Sequence, residues 1–166
     1  VMRHEGVERL TDRRINALAH DARGNLWIGT ASGLNFFDLA ANTIEKIVPA
    51  PNDPKGLPTG SITSLLIDRQ GRLWISTLGA GVVFLEGRDA AGMPRFRRIA
   101  AAEGLPNNSA NKLLLDARGD IWVSTDDGVA RIDAGTLAVR ALRAEDGLQI
   151  PSYWGGAGAV TPEGEL

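Results

Sequence analysis

Three stretches decide the reading of this chain: DARGNLWIGT at 21–30, DRQGRLWIST at 68–77 and DARGDIWVST at 116–125. Their tryptophans, Trp27, Trp74 and Trp122, lie 47 and 48 residues apart. Asp21, Asp68 and Asp116 keep those intervals, as do Gly24, Gly71 and Gly119, and Thr30, Thr77 and Thr125. Upstream, Leu10, Leu57 and Leu105 each precede their aspartate by eleven residues. So constant a register means one structural unit made three times.

Within the second copy the strands follow from apolar runs and the breakers between them. Residues 61–67 (SITSLLI), rich in β-branched and aliphatic side chains, predict a first strand. Asp68 to Gly71 predict a tight turn, Asp bonding backbone N–H groups and Gly accepting positive φ. Residues 73–77, 82–85 and 96–99 complete four strands. The first copy gives 15–20, 26–30, 34–37 and 44–48, and the third gives 112–115, 121–125, 129–132 and 139–142. Only 39–43 and 100–103 could form a turn of helix. Four short antiparallel strands per unit, at a period in the forties, predict the blades of a β-propeller.

The fold class is therefore all-β, a propeller segment of four-stranded antiparallel blades forming an incomplete ring. The units expected are an outer strand of a preceding blade at 1–9, blade 1 at 10–56, blade 2 at 57–104, blade 3 at 105–147, and the start of a truncated fourth blade at 148–166. The chain opens on Val1 and closes before a fourth motif tryptophan, so a piece of a larger protein is expected.

Composition narrows the function classes. Hydrophobic content of 43% with 23% charged residues is that of a globular protein. A formal charge of −2 gives no electrostatic footprint for nucleic acid or an anionic membrane. The pairs Arg13–Arg14 and Arg97–Arg98 are too short to alter that. There is no cysteine, which excludes disulfides and zinc held by thiolates. No apolar run reaches the ~18 residues of a spanning helix, and the N-terminus lacks a signal-peptide pattern.

The string INALAHDARGNLWIGTASGL at 15–34, with the linkers GLPTGS at 56–61 and GLPNNS at 104–109, resembles the two-component-regulator propeller repeat. Val129 departs from the leucine that the family prefers after its glycine. The resemblance implies the periplasmic sensor region of a bacterial inner-membrane signalling receptor. There such blades precede an Ig-like domain, a membrane helix, and a histidine kinase or GGDEF diguanylate cyclase. It implies as partners the remaining blades and that Ig-like domain, with an oligosaccharide or other small molecule as ligand.

Chemistry-bearing residues are few. The motif tryptophans sit between apolar neighbours and read as packing between blades. The three aspartates occupy identical turns in different blades, so they cannot converge on one ion, and turn chemistry accounts for them. Asp126 and Asp127, with Asp133, lack the spacing of a calcium loop. No metal site, cofactor or catalytic residue is expected. His20 falls where the sister blades carry Ile67 and Leu115, so a half-buried strand position is expected; His4 has no evident partner.

Recognition is expected instead on variable loops carried by the rigid scaffold. Alternating strand directions put the Asp-x-x-Gly turns on one face, and the second-to-third turns with the blade linkers on the other. The second face varies most, which nominates Arg13, Arg14, Thr59, Asn107, Asn108, Asp126 and Asp127 as ligand contacts. Trp154, outside the blade register, is a candidate exposed aromatic contact. The open ends of the arc predict self-association of the fragment. The rival readings are a scaffold that senses nothing and a propeller-based carbohydrate enzyme.

Overall fold

A computed structural model of the chain describes residues 10–147. The expectations for 1–9, for 148–166 and for Trp154 lie outside the described residues. The described residues form three four-stranded antiparallel sheets in an open arc, each meandering in sequence order. Blade 1 comprises β1 (Ile15–His20), β2 (Leu26–Thr30), β3 (Leu34–Asp38) and β4 (Thr43–Ile47). Blade 2 comprises β5 (Ile62–Ile67), β6 (Leu73–Thr77), β7 (Gly81–Arg88) and β8 (Pro94–Ile99). Blade 3 comprises β9 (Ala110–Leu115), β10 (Ile121–Thr125), β11 (Gly128–Ile132) and β12 (Val139–Leu142).

Three details differ from expectation. The β7–β8 hairpin runs on to Arg88 and Pro94, because a register shift between Leu85 and Gly87 lets pairing continue past the apolar run. Residues 39–42 make a hydrogen-bonded turn, not a helical one, with Asn42 at φ 52 and the Ala41 N–H donating to Asp38 Oδ1. A second short 3-10 turn, Ala144–Asp146, matches the expected one, Ala101–Glu103. In both, a carboxylate accepts the N–H three residues back: Glu103 from Ala100, and Asp146 from Arg143.

The strand faces sort by period two. Leu73, Ile75, Val83 and Phe96 of blade 2 pack with Trp27, Leu34 and Ile47 of blade 1. Trp74, Val82, Phe84 and Ile99 face the other way, onto Leu113, Ile121, Val123 and Ile132 of blade 3. Trp27 and Trp74 thus each pack against the blade that follows, and Trp74 is fully buried. Trp122, flanked by Ile121 and Val123 that point at blade 2, lies on the opposite face of its sheet. The linker leucines, Leu57 and Leu105, plug the two interfaces and are almost fully buried.

One position sets how closely blades 1 and 2 approach. A Cβ on Gly29 would lie 2.5 Å from Ile62 Cγ2 of the next blade. The corresponding positions in blade 2 are Ser76 and, across from it, Ala110. A larger residue on one side thus coincides with a smaller one on the other. Gly29→Ala is expected to lower stability by about 1–3 kcal/mol through overpacking. In an Ile62→Ala background the same change should cost almost nothing. Equal costs in the two backgrounds, measured by urea unfolding, would contradict this account of the interface.

Candidate functional site

The repeated motif builds one polar knot per blade. In blade 2 the Asp68 carboxylate is buried. Its Oδ1 accepts the backbone N–H groups of Gln70 and Arg72, each at 2.9 Å. Its Oδ2 accepts the Trp74 indole N–H at 2.8 Å and Arg72 Nε at 2.7 Å. Blade 3 repeats this, with Asp116 accepting Arg118 and Asp120 N–H and the Trp122 indole at 2.9 Å. In blade 1 the Asn25 amide donates to Asp21 Oδ2 at 3.1 Å. Gly71 closes the turn at φ 78, a conformation costly for residues with a Cβ.

Turn chemistry alone therefore does not account for the aspartates. Two of them also fix the orientation of a core tryptophan. Burial pushes all three carboxyls up, but the donated hydrogen bonds outweigh it and hold each below the ordinary aspartate value. The leading compensating donor is the Asn25 side chain for Asp21, the Trp74 indole for Asp68 and the Trp122 indole for Asp116. Thr30, Thr77 and Thr125 have an equally structural role. Each donates its hydroxyl at 2.9 Å to the carbonyl of Gly33, Gly81 or Gly128, closing the second-to-third turn.

A further repeated device escaped the sequence reading. The first strand of every blade is bulged at the same place, at Asn16, Thr63 and Asn111. A bulge re-aims its side chain, and here two of them stitch one blade to the next. Asn16 Nδ2 donates to the Ile62 carbonyl at 2.9 Å, and Thr63 Oγ1 donates to the Ala110 carbonyl at 2.6 Å. Asn111 Nδ2 donates to Asp126 Oδ1 at 2.9 Å. The available signal was a polar residue at the second position of all three first strands.

On the second face, each linker is pinned to the adjacent turn by a repeated backbone bond. The N–H groups of Ala31, Leu78 and Asp126 donate to the carbonyls of Arg14, Ser61 and Ser109. Arg13, Arg14, Thr59, Asp126 and Asp127 are exposed there, and Asn107 and Asn108 are half-buried. Several already have work. Asn107 Oδ1 accepts the Ser109 N–H at 2.7 Å, and Asn108 Oδ1 accepts the Ala101 N–H at 2.8 Å. The Asn108 carbonyl accepts from Gly79 and Gly81, tying the linker between blades 2 and 3 to the blade 2 turn. Asp127 lies 3.9 Å from Arg143. Asp133 stands at the opposite end of β11, where it accepts the Gly135 and Thr136 N–H groups, so it does not join the Asp126–Asp127 pair.

A groove of about 320 Å3 opens on this face between the first linker and the blade 2 turn. Asp53, Thr59, Leu78 and Arg98 line it over a floor of Val83 and Phe96. Of the nominated contacts among the described residues, only Thr59 reaches it. Leu78 lies in a second-to-third turn of the expected variable face, whereas Arg98 was not nominated; Arg98 Nε donates to the Ala80 carbonyl at 2.7 Å. Arg95 and Asp53 close one end with an ion pair at 2.6 Å. His20 is exposed, a correction to the half-buried position expected, because Ile15 and Leu18 of the same strand are also open to solvent. Among the described residues no three His, Asp or Glu side chains are placed to hold a metal ion.

Comparison with known proteins agrees with this geometry. The profile of the family described as two component regulator propeller matches residues 9–32, 56–79 and 104–127. No curated protein matches the chain. Among solved structures, it is similar to the extracellular domain of the hybrid two component system BT3049 from B. thetaiotaomicron. That match has 20% identity and a TM-score of 0.75, covering 94% of this chain and 20% of that one. The corresponding domain of BT4673 from the same organism gives 22% identity and a TM-score of 0.67, covering 84% and 20%. A catalytically inactive virginiamycin B lyase from Staphylococcus aureus with quinupristin gives 16% identity and a TM-score of 0.57, covering 78% and 41%. The chain spans about a fifth of the length of the two ectodomains. The chain thus carries three in-register copies of the two-component regulator propeller repeat, one in each described blade.

Proposed function

We propose that the chain is a segment of an extracytoplasmic propeller in a bacterial transmembrane receptor. Its blades stand between a ligand and a membrane-coupled output domain, a histidine kinase or a GGDEF diguanylate cyclase. The observation that carries this reading is the triple match to the two-component regulator repeat, on residues that build an aspartate-centred turn in every described blade. Support for the extracytoplasmic side comes from the likeness to ectodomains of hybrid two component systems. The ligand class that fits is an oligosaccharide or another small polar molecule. Its place is the second-face groove, where Thr59 and Arg98 supply hydrogen bonds over the Phe96 floor.

A second reading, scaffold and association surface only, has its own support. Leu18 is 58% exposed, whereas its counterparts Leu65 and Leu113 are 8% and 2% exposed under the preceding blade. That side of blade 1 is shaped to receive another blade, from the same receptor or from a second copy. Titration of the intact ectodomain with a glycan library, by calorimetry, separates the two readings. The sensing account expects binding that Leu78→Arg, filling the groove, weakens about tenfold or more, near 1.4 kcal/mol. Binding unchanged by that substitution favours the scaffold reading for these blades.

A further inference from the structure

Blade 2 contains, in its own side chains, the occupant of a site that blade 1 leaves open. The Arg72 guanidinium carbon lies 5.4 Å from the Trp74 ring centroid and 5.5 Å from that of Phe84. Its Nε donates to Asp68 Oδ2 at 2.7 Å, and Nη2 donates to the Ala134 carbonyl of blade 3 at 2.6 Å. An aromatic pair, a carboxylate and a carbonyl from the next blade thus hold one guanidinium.

Blade 1 repeats each of those groups without the guanidinium. Trp27 and Phe36 form the same tilted pair at 4.6 Å, against 4.8 Å for Trp74 and Phe84. Asp21 stands for Asp68, and Gly87 of blade 2 matches Ala134 by count along its strand, past a bulge at Glu86. Gln70, whose Oε1 also accepts from Arg72 Nη2 at 2.7 Å, has Arg23 as its counterpart. The residue in the place of Arg72 is Asn25, whose amide donates to Asp21 and whose Oδ1 accepts the Leu39 N–H of its own blade. A groove of about 380 Å3 results, lined among others by Asp21, Trp27, Phe36, Glu86, Gly87 and Arg88. Arg88 is already neutralised by two bonds to Glu45, at 2.8 and 2.6 Å. Arg72 also borders the groove, but its guanidinium is held by Asp68 and the Ala134 carbonyl. Glu86, exposed at the rim, adds a second carboxylate to that of Asp21.

We propose that this groove binds an arginine side chain presented by a peptide or by a segment of a partner protein. The guanidinium takes the place that Arg72 fills in the neighbouring interface, stacked on Trp27 and Phe36 and directed at Asp21 and the blade 2 backbone. Stacking on an aromatic face and a planar fork of donors are what distinguish guanidinium from ammonium here. The groove lies on the Asp-x-x-Gly face, opposite the one in the preceding reading, so the two stand or fall separately.

The test is titration of the isotopically labelled chain with N-acetyl-Gly-Arg-Gly amide, following the tryptophan indole resonances. A saturable shift confined to Trp27 is expected, with Trp74 unmoved. The citrulline counterpart of the peptide, neutral and nearly isosteric, should bind at least about tenfold more weakly. Asn25→Arg, which supplies the guanidinium from within, should raise the melting temperature and abolish the Trp27 response, whereas Asn25→Gln should retain it. Equal binding of the citrulline peptide, undiminished binding to the Asn25→Arg chain, or no Trp27 response at about 10 mM peptide would overturn the proposal.

Discussion

Replacing Asp68 with alanine is expected to destabilise the chain by about 3–5 kcal/mol, the range for breaking a buried, hydrogen-bonded charge pair. Four donors lose their acceptor at once: two backbone N–H groups, the Trp74 indole and Arg72 Nε. The indole belongs to a fully buried ring, so no water replaces the lost partner. Asp68→Asn should fall between alanine and the parent, because the amide keeps one acceptor oxygen but loses the charge. Denaturant unfolding reads the difference directly.

The same carboxylates set the acid limb of stability. Asp21, Asp68 and Asp116 titrate lower folded than unfolded, where the ordinary value is near 3.9. Their contribution is therefore complete above about pH 4 and is lost as the pH falls through their lower folded values. Unfolding midpoints followed from pH 6 to pH 2 should drop below about pH 4, and the drop should be shallower in Asp68→Ala. An acid limb of unchanged steepness would remove Asp68 from the explanation.

Trp74→Ala is the second large effect, at about 3–5 kcal/mol for deleting a large buried aromatic side chain. The ring fills the interface between blades 2 and 3 beside Val82, Phe84 and Ile99. Its loss also strips Arg72 of one of the two aromatic faces it lies over. Trp122→Ala should cost distinctly less, because Trp122 is only half-buried among the described residues. Comparable costs at the two sites would mean that position in the stack does not govern the contribution of the motif tryptophan.

The fold was largely legible because a propeller writes its architecture as a period, and the strands of all three blades fall where apolar runs and breakers placed them. What the sequence concealed depends on contacts across the chain. The aspartate reads as a turn residue, since its bonds to the N–H groups two and four positions on are local. The indole bond spans six positions and exists only once the hairpin is formed. Asn16 and Thr63 read as ordinary strand positions and Asn111 fell just before the expected strand at 112–115, because a period-two reading assumes unbroken pairing and a bulge breaks it. The second-face groove depends on the path of the proline-rich linker, pinned where the Phe96 N–H donates to the Lys55 carbonyl at 2.8 Å. Hence Thr59 could be nominated from loop variability, and Arg98, on a regular strand, could not.

Asn25 and Arg72 stand at matching places in two copies of the repeat. The meaning of that contrast needed the Ala134 carbonyl, which shows that Arg72 belongs to the packing of two blades. The most repeated residues hold the blades together, and the places where copies differ are where grooves open.

The central claim is that the repeated aspartate and tryptophan act as one unit in blades 2 and 3. A double-mutant cycle on Asp68→Asn and Trp74→Phe tests it most directly, because phenylalanine removes the indole N–H and keeps an aromatic ring. The account predicts a coupling of about 1–2 kcal/mol between the two substitutions in denaturant unfolding. Additivity within about 0.3 kcal/mol would contradict it.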